Sequence, residues 1–275
     1  MIAPPLFDSS CRRSKKAQAF RVCAGWIATL ALLSLQSGCS SVPQKPVALQ
    51  RPPATAVTPF STAKPGGAFP GGWVEMSFSK FRKPSRYAVV DDRGTPVIRA
   101  TSEDASSALI ENIDVDLHER PLLRWRWKSA RLVPGADTSQ RSAEDAPVRL
   151  ILAFEGDKAK LPSIDRMTVS EIRAFLGQEP PYASLEYVWG NAVAKNTVVQ
   201  NGWYRRIKMI VVESGEERVG DWVGETRNVY EDFRRAFNEE PGHVSYIGIH
   251  SDSDATNSTS EGYFGDITFF APPRQ

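Results

Sequence analysis

The densest group of oxygen-bearing side chains in this 275-residue chain lies near its C-terminal end, in residues 244–270. Two alternating apolar runs flank an acidic, hydroxyl-rich loop that holds Asp252, Asp254, Thr256 and Asn257, and Asp266 opens the closing strand. Calcium takes six to eight oxygens from carboxylates and loop carbonyls. Asp252, Asp254, Asn257 and Asp266 are therefore the metal candidates, and Ca2+ is the ion such a set would take. The spacing is not that of an EF-hand, because Asn257 stands where that loop has glycine and Tyr263 where it ends in glutamate. An Asx-rich turn, bonded to its own backbone, accounts for the same residues without any ion.

A second polar group is Trp222-Val-Gly-Glu225-Thr-Arg227-Asn228, followed one helical turn later by Asp232. It could line a cleft, or it could be a helix cap with an arginine–carboxylate pair. Asp137, Glu144 and Asp145 lie in a loop between two apolar runs. Glycoside hydrolysis uses two carboxyl groups, one as acid and one as nucleophile or base. Asp145, Glu225 and Asp232 are the catalytic candidates on that ground. Sugars stack on aromatic rings while carboxylates and amides take their hydroxyls. The ligand-binding candidates are accordingly Trp189, Trp222, Arg227, Asn228, Asp252 and Asp254. His118, His243 and His250 show no metal spacing, and neither a nucleophile elbow nor a phosphate-binding glycine pattern occurs.

The elements that must position these groups read as strands. In Leu122-Leu-Arg-Trp-Arg-Trp-Lys128 the residues Leu123, Trp125 and Trp127 face one way and Arg124, Arg126 and Lys128 the other, the period of a half-buried strand. Similar runs occur at 73–79, 105–117, 148–154, 184–189, 197–199, 203–213, 244–250 and 263–270. A hairpin joins 86–90 to 95–101 through Asp92-Arg-Gly94. Helices are expected at 167–176, where Met167, Ile172, Phe175 and Leu176 can share a face, and at 228–238, where Val229, Phe233 and Phe237 recur every four residues. About ten short strands without strand–helix alternation imply an all-β, antiparallel β-sandwich of jelly-roll type, with two short helices in connections.

Hydrophobic content of 41% and charge of 24% suit a globular domain. Residues 1–38 are different: Arg12, Arg13, Lys15, Lys16 and Arg21 precede an uncharged apolar run at 22–35 and the small residues Ser37 and Gly38. That is the layout of a secretory signal. Ser37-Gly-Cys39 resembles the lipobox of bacterial lipoproteins, which implies lipidation of Cys39. Leu35 stands one place further from Cys39 than the usual lipobox leucine, a departure that bears on lipidation and not on export. Ser40 and Ser41 lack the aspartate of inner-membrane retention, so the expected location is the periplasmic side of a bacterial outer membrane.

Cys11 and Cys23 would leave with the signal, so the remaining domain has no thiol chemistry. The net charge of +2 includes five basic residues and Asp8 in the leader, so the rest of the chain is near −2. Nucleic acid and nucleotide are not expected partners. The proline-rich stretch 39–72 reads as an extended tether and 73–275 as the folded domain.

The series Leu123-Arg-Trp-Arg-Trp127, Asp145-Ala-Pro-Val-Arg149, Leu185-Glu-Tyr-Val-Trp-Gly190, Glu213-Ser-Gly215, Trp222, Arg227-Asn228, Asp232, Asp252-Ser-Asp254, Tyr263 and Gly265-Asp-Ile267 resembles the DUF3047 family. The resemblance implies exported bacterial proteins whose domain is similar to carbohydrate-binding β-sandwiches, and it carries over no catalytic residue. The expected function is a non-catalytic envelope lipoprotein domain that binds a glycan or another polyhydroxylated ligand. The alternatives are a hydrolase of envelope polysaccharide and a structural lipoprotein with a protein partner.

Overall fold

Strand β5 (Leu122–Ser129) keeps the alternation of its sequence: Leu123, Trp125 and Trp127 are buried, while Arg124 is exposed and Arg126 and Lys128 are half-covered. The structure is a computed structural model that describes residues 54–79, 81–177 and 179–273. The signal segment, Cys39 and the first part of the tether lie outside the described residues.

The other strands are β1 (Trp73–Met76), β2 (Arg86–Asp92), β3 (Thr95–Glu103), β4 (Ala108–Val115), β6 (Arg149–Phe154), β7 (Ala183–Gly190), β8 (Val198–Gln200), β9 (Ile207–Ser214), β10 (Val223–Asn228), β11 (Val244–His250) and β12 (Thr259–Phe270). Helices α1 (Ser163–Leu176) and α2 (Val229–Phe237) lie in connections. The strands form two sheets, a seven-stranded one in the order β1-β4-β11-β6-β7-β9-β8 and a five-stranded one in the order β10-β5-β12-β3-β2.

The sheets pack through aromatic rings. Trp125 stacks on Tyr187 with centroids 5.0 Å apart, Trp127 lies 6.5 Å from Trp189, and Phe154 meets Phe233 of α2 at 4.5 Å. Burying side chains of this size contributes roughly 1.5–3 kcal/mol each. The result is the expected jelly-roll β-sandwich. Among the described strands pairing is antiparallel except between β7 and β9, which run parallel. A parallel pair needs a long crossover, usually a helix; here residues 191–206 provide it with β8 and turns.

Local chemistry fixes the connections. Arg93 and Gly94 both have positive φ, 56° and 85°, as the expected two-residue hairpin turn between β2 and β3 requires. Asn228 caps α2 by accepting from the Glu231 N–H at 3.2 Å, and the helix ends at left-handed Asn238. Helix α1 starts at Ser163, earlier than expected. Its buried side carries Val169, whereas Met167 and Phe175 are exposed, so the expected apolar face is split. The short edge strand β10 occupies a stretch that is not among the expected strands.

The tether does not run to residue 72. From Ala54, which bridges to Ile113, the chain packs on the sandwich. Phe60 is buried 4.6 Å from Trp73, and Thr58 donates its N–H and hydroxyl to the buried Glu111 at 2.8 and 2.5 Å. Val57 and Phe60 give this proline-rich segment apolar surface to bury, which a free tether would lack.

Candidate functional site

Three groups of side chains carry the candidate chemistry. The first lies on the outer side of the seven-stranded sheet. Because β11 pairs with β6, His250 stands opposite Arg149, and the loops after His250 and before Arg149 meet. Arg149 donates to Glu186 on the adjacent β7 at 2.8 Å, to the Glu144 carbonyl at 2.7 Å and to Asp252 at 3.3 Å. Asp252 also accepts from the Ala146 N–H at 2.9 Å. Asp145 accepts from the N–H groups of Ala255 and Thr256 and from the Thr256 hydroxyl. Asp254 pairs with Arg82. Arg149, Glu186, Asp145 and Asp252 are all buried.

Burial raises the Glu186 and Asp252 carboxyl pKa values, and Arg149 pulls both back. Burial raises Glu144 in the same way. For Arg149 burial acts against the charge, but Asp252, Glu186 and Glu144 outweigh it and hold the guanidinium ionised. Burial, with Arg149 nearby, keeps His250 well below the usual histidine range, and its ring bonds Ser106 at 3.1 Å.

Of the expected metal ligands, this site brings together Asp252 and Asp254, with Asp145 in place of the others; oxygens of these three lie within 4.8 Å of one another. Asn257 takes a left-handed turn position and is exposed. Asp266 accepts from the Ser61 N–H at 2.9 Å and the Ser61 hydroxyl at 2.6 Å. The trio does not fit a calcium ion. Two of its members touch arginines and the third is filled by three protein donors, whereas calcium needs six or more free oxygens. Chemically the arrangement is a clamp of arginine–carboxylate pairs and backbone hydrogen bonds that ties the 252–256 loop to the sandwich.

The second group lines the β10 edge. Arg227 forks onto Asp232 with bonds of 2.8 and 2.6 Å, and Tyr187 donates to the same carboxylate at 2.9 Å. Asn228 is the helix cap. Glu225 lies against Glu213, which pairs with Lys195 at 2.6 Å, and it also lines the depression described below. Burial, the Glu213 charge and a hydrogen bond to Glu213 push the Glu225 carboxyl up to about 7, against the pull of Lys195 and Arg227. Trp189 is wholly buried and donates to the Gly215 carbonyl at 3.1 Å. Asp145, Glu225 and Asp232 thus each have their own partners, and Asp145 shares none with the other two.

The third group is the open face of the five-stranded sheet. The outward side chains of β5 alternate with aromatic rings. The Arg124 guanidinium lies 5.5 Å from the Phe270 ring centre, Arg126 lies 4.5 Å from Trp222, and Lys128 sits 5.2 Å from Trp222 and 4.4 Å from Tyr263. The Trp222 indole N–H donates to Asp92. Beside this ladder lies a depression of about 410 Å³, lined by Arg124, Arg126, Gly224, Thr226 and Asp266 among others. It is open because Gly224, opposite Arg126, has no side chain, and a Cβ there would meet nothing within 4 Å. Of the expected ligand-binding residues only Trp222 touches the arginines of this ladder. Arg124 and Arg126 were not among the candidates, although the alternation of β5 already put them outside.

The DUF3047 family, described as "Protein of unknown function (DUF3047)", matches residues 71–268. The chain belongs to this family. No curated protein matches the chain in sequence. Among solved structures, this DUF3047 chain is similar to CBM29_1, a family 29 carbohydrate-binding module from Piromyces equi, at 10% identity and a TM-score of 0.32, covering 79% of this chain and 93% of that one. It is also similar to the K3 cleaved adhesin domain of Lys-gingipain from Porphyromonas gingivalis w83, at 10% identity and a TM-score of 0.34, covering 78% and 99%. A loop-swap mutant of Necallimastix patriciarum Xyn11A matches at 6% identity and a TM-score of 0.33, covering 74% and 94%. The two-layer architecture of the DUF3047 domain rests on its own strand pairing.

Proposed function

We propose that the domain is a non-catalytic module that binds a glycan or another polyhydroxylated ligand on the open face of the five-stranded sheet. The observation that supports this reading is the depression beside the Arg126–Trp222 stack. It combines ring surface, guanidinium donors and the Thr226 hydroxyl on one accessible face. Mixed aromatic and hydrogen-bonding walls of this kind suit sugars. Glycan-array binding by the wild type, and its loss in Gly224→Gln, which fills the depression, would test the reading. Equal binding by both proteins would refute this location.

The protein is carried on the periplasmic side of a bacterial outer membrane by lipid on Cys39, after removal of residues 1–38. The sequence around Ser37-Gly-Cys39 supports it. Metabolic labelling with a fatty-acid analogue should mark the wild type and not Cys39→Ser.

The hydrolase alternative has two observations in its favour, the rise of the Glu225 carboxyl to about 7 and the place of Glu225 in the lining of the same depression. Its neighbour Glu213 is in hydrogen-bond contact, closer than the roughly 5–10 Å that separates the two acids of glycosidases. Release of reducing ends by the wild type and not by Glu225→Gln would favour that alternative.

A further inference from the structure

The charges on the open sheet face are not evenly answered. Lys128 lies 3.6 Å from Asp92, and Arg99 bonds Glu261 at 2.8 Å. Arg124 and Arg126 have no carboxylate within ion-pair distance among the described residues; their contacts are with rings. Asp266 lines the same depression, but its two oxygens accept from the Ser61 backbone and hydroxyl. A guanidinium already resting against an aromatic ring has given up part of its freedom before it meets a carboxylate. Arg126 is further confined by Gly265 of β12, since a Cβ there would fall 2.5 Å from its Nε. The two arginines are two residues apart on one strand, hence roughly 7 Å apart along it. They border a channel that the glycine of the edge strand leaves clear.

We infer that the ligand of this face is an acidic polysaccharide, whose sugar carboxylates are taken in turn by Arg124 and Arg126 while its rings lie across the depression beside Trp222. The inference rests on the binding reading given above and narrows it to a charge class. On the same face Lys128 and Arg99 have carboxylate partners, whereas Arg124 and Arg126 have none among the described residues. The guanidiniums supply charge-assisted bonds, each of the strong kind, and the interaction is exposed enough to be screened by salt.

The test uses the whole domain, residues 54–275, with polygalacturonate and its methyl-esterified form, which share a backbone and differ in charge. Calorimetry is run on the wild type, Arg124→Ala/Arg126→Ala and Gly224→Gln, at low and high salt. The expected result is binding to polygalacturonate that is salt-sensitive, falls at least tenfold in the double-arginine variant and in Gly224→Gln, and is far weaker for the ester. Equal binding of acid and ester, or an undiminished affinity in the double-arginine variant, overturns the acidic class and leaves glycan binding standing. Binding of neither polymer, together with a silent glycan array, overturns both. Because these three positions are exposed or half-covered on the sheet surface, unchanged thermal unfolding should accompany each loss.

Discussion

Arg149 and Glu186 meet at 2.8 Å across the neighbouring strands β6 and β7, both shut away from solvent, with Asp252 on the other arm of the guanidinium. Removing the cation leaves two buried carboxylates without a counter-charge. Arg149→Met should cost about 3–5 kcal/mol of stability by urea unfolding. Adding Glu186→Gln to it should recover part of that loss, whereas independent roles for the two residues would make the costs additive.

Glu225 gives the domain a pH dependence of definite sign. Its carboxyl rises from an ordinary 4.5 to about 7 in the folded chain, chiefly through burial. The folded state therefore holds a proton that the unfolded chain has released. The stability this contributes is complete below about 4.5 and is lost as pH rises through 7. The side chain keeps a solvated side, so the amplitude is discounted to roughly 1–2 kcal/mol. Thermal unfolding should show the wild type losing stability across this window relative to Glu225→Gln; parallel curves would contradict the assignment.

Strands with clean alternation, such as β5, and the Val229/Phe233 stripe of α2 could be read directly, because one face of each is buried. Strand β10 could not: Val223-Gly-Glu-Thr-Arg-Asn228 buries only Val223 fully, since an edge strand with two polar faces has no period to see. The parallel β7–β9 pair was hidden because its crossover is a β-strand and turns rather than a helix. The acidic loop was visible as composition, but its partner Asp145 arrives only through the β6–β11 pairing, which no local pattern encodes. Phe60 was a missed signal, a single large aromatic in a segment otherwise too polar and proline-rich to fold.

The segment 54–72 is part of the domain. Phe60→Ala, which empties the space beside Trp73, should cost about 3–5 kcal/mol. A chain beginning at Trp73 should be less stable still, since it also strips Thr58 from the buried Glu111. Equal denaturation midpoints for chains starting at residues 54 and 73 would show that the segment adds nothing.

The Asp145–Asp252–Asp254 trio should behave as a clamp rather than an ion site. Millimolar calcium or a chelator should leave the melting temperature within about one degree, a shift of a few tenths of a kcal/mol at most. Asp252→Asn should instead lower it, because Arg149 then loses one of its two carboxylates. A clear calcium-induced rise would restore the ion.

Amide, indole and arginine side-chain NMR spectra, recorded as polygalacturonate is added, bear most directly on where the ligand sits. The open-face account predicts that the Trp222 indole and the Arg124 and Arg126 Nε–H signals move together, while the buried Trp189 indole and the amides of residues 252–257 stay in place. Movement of the 252–257 amides with a stationary Trp222 indole would contradict it and return the site to the acidic loop.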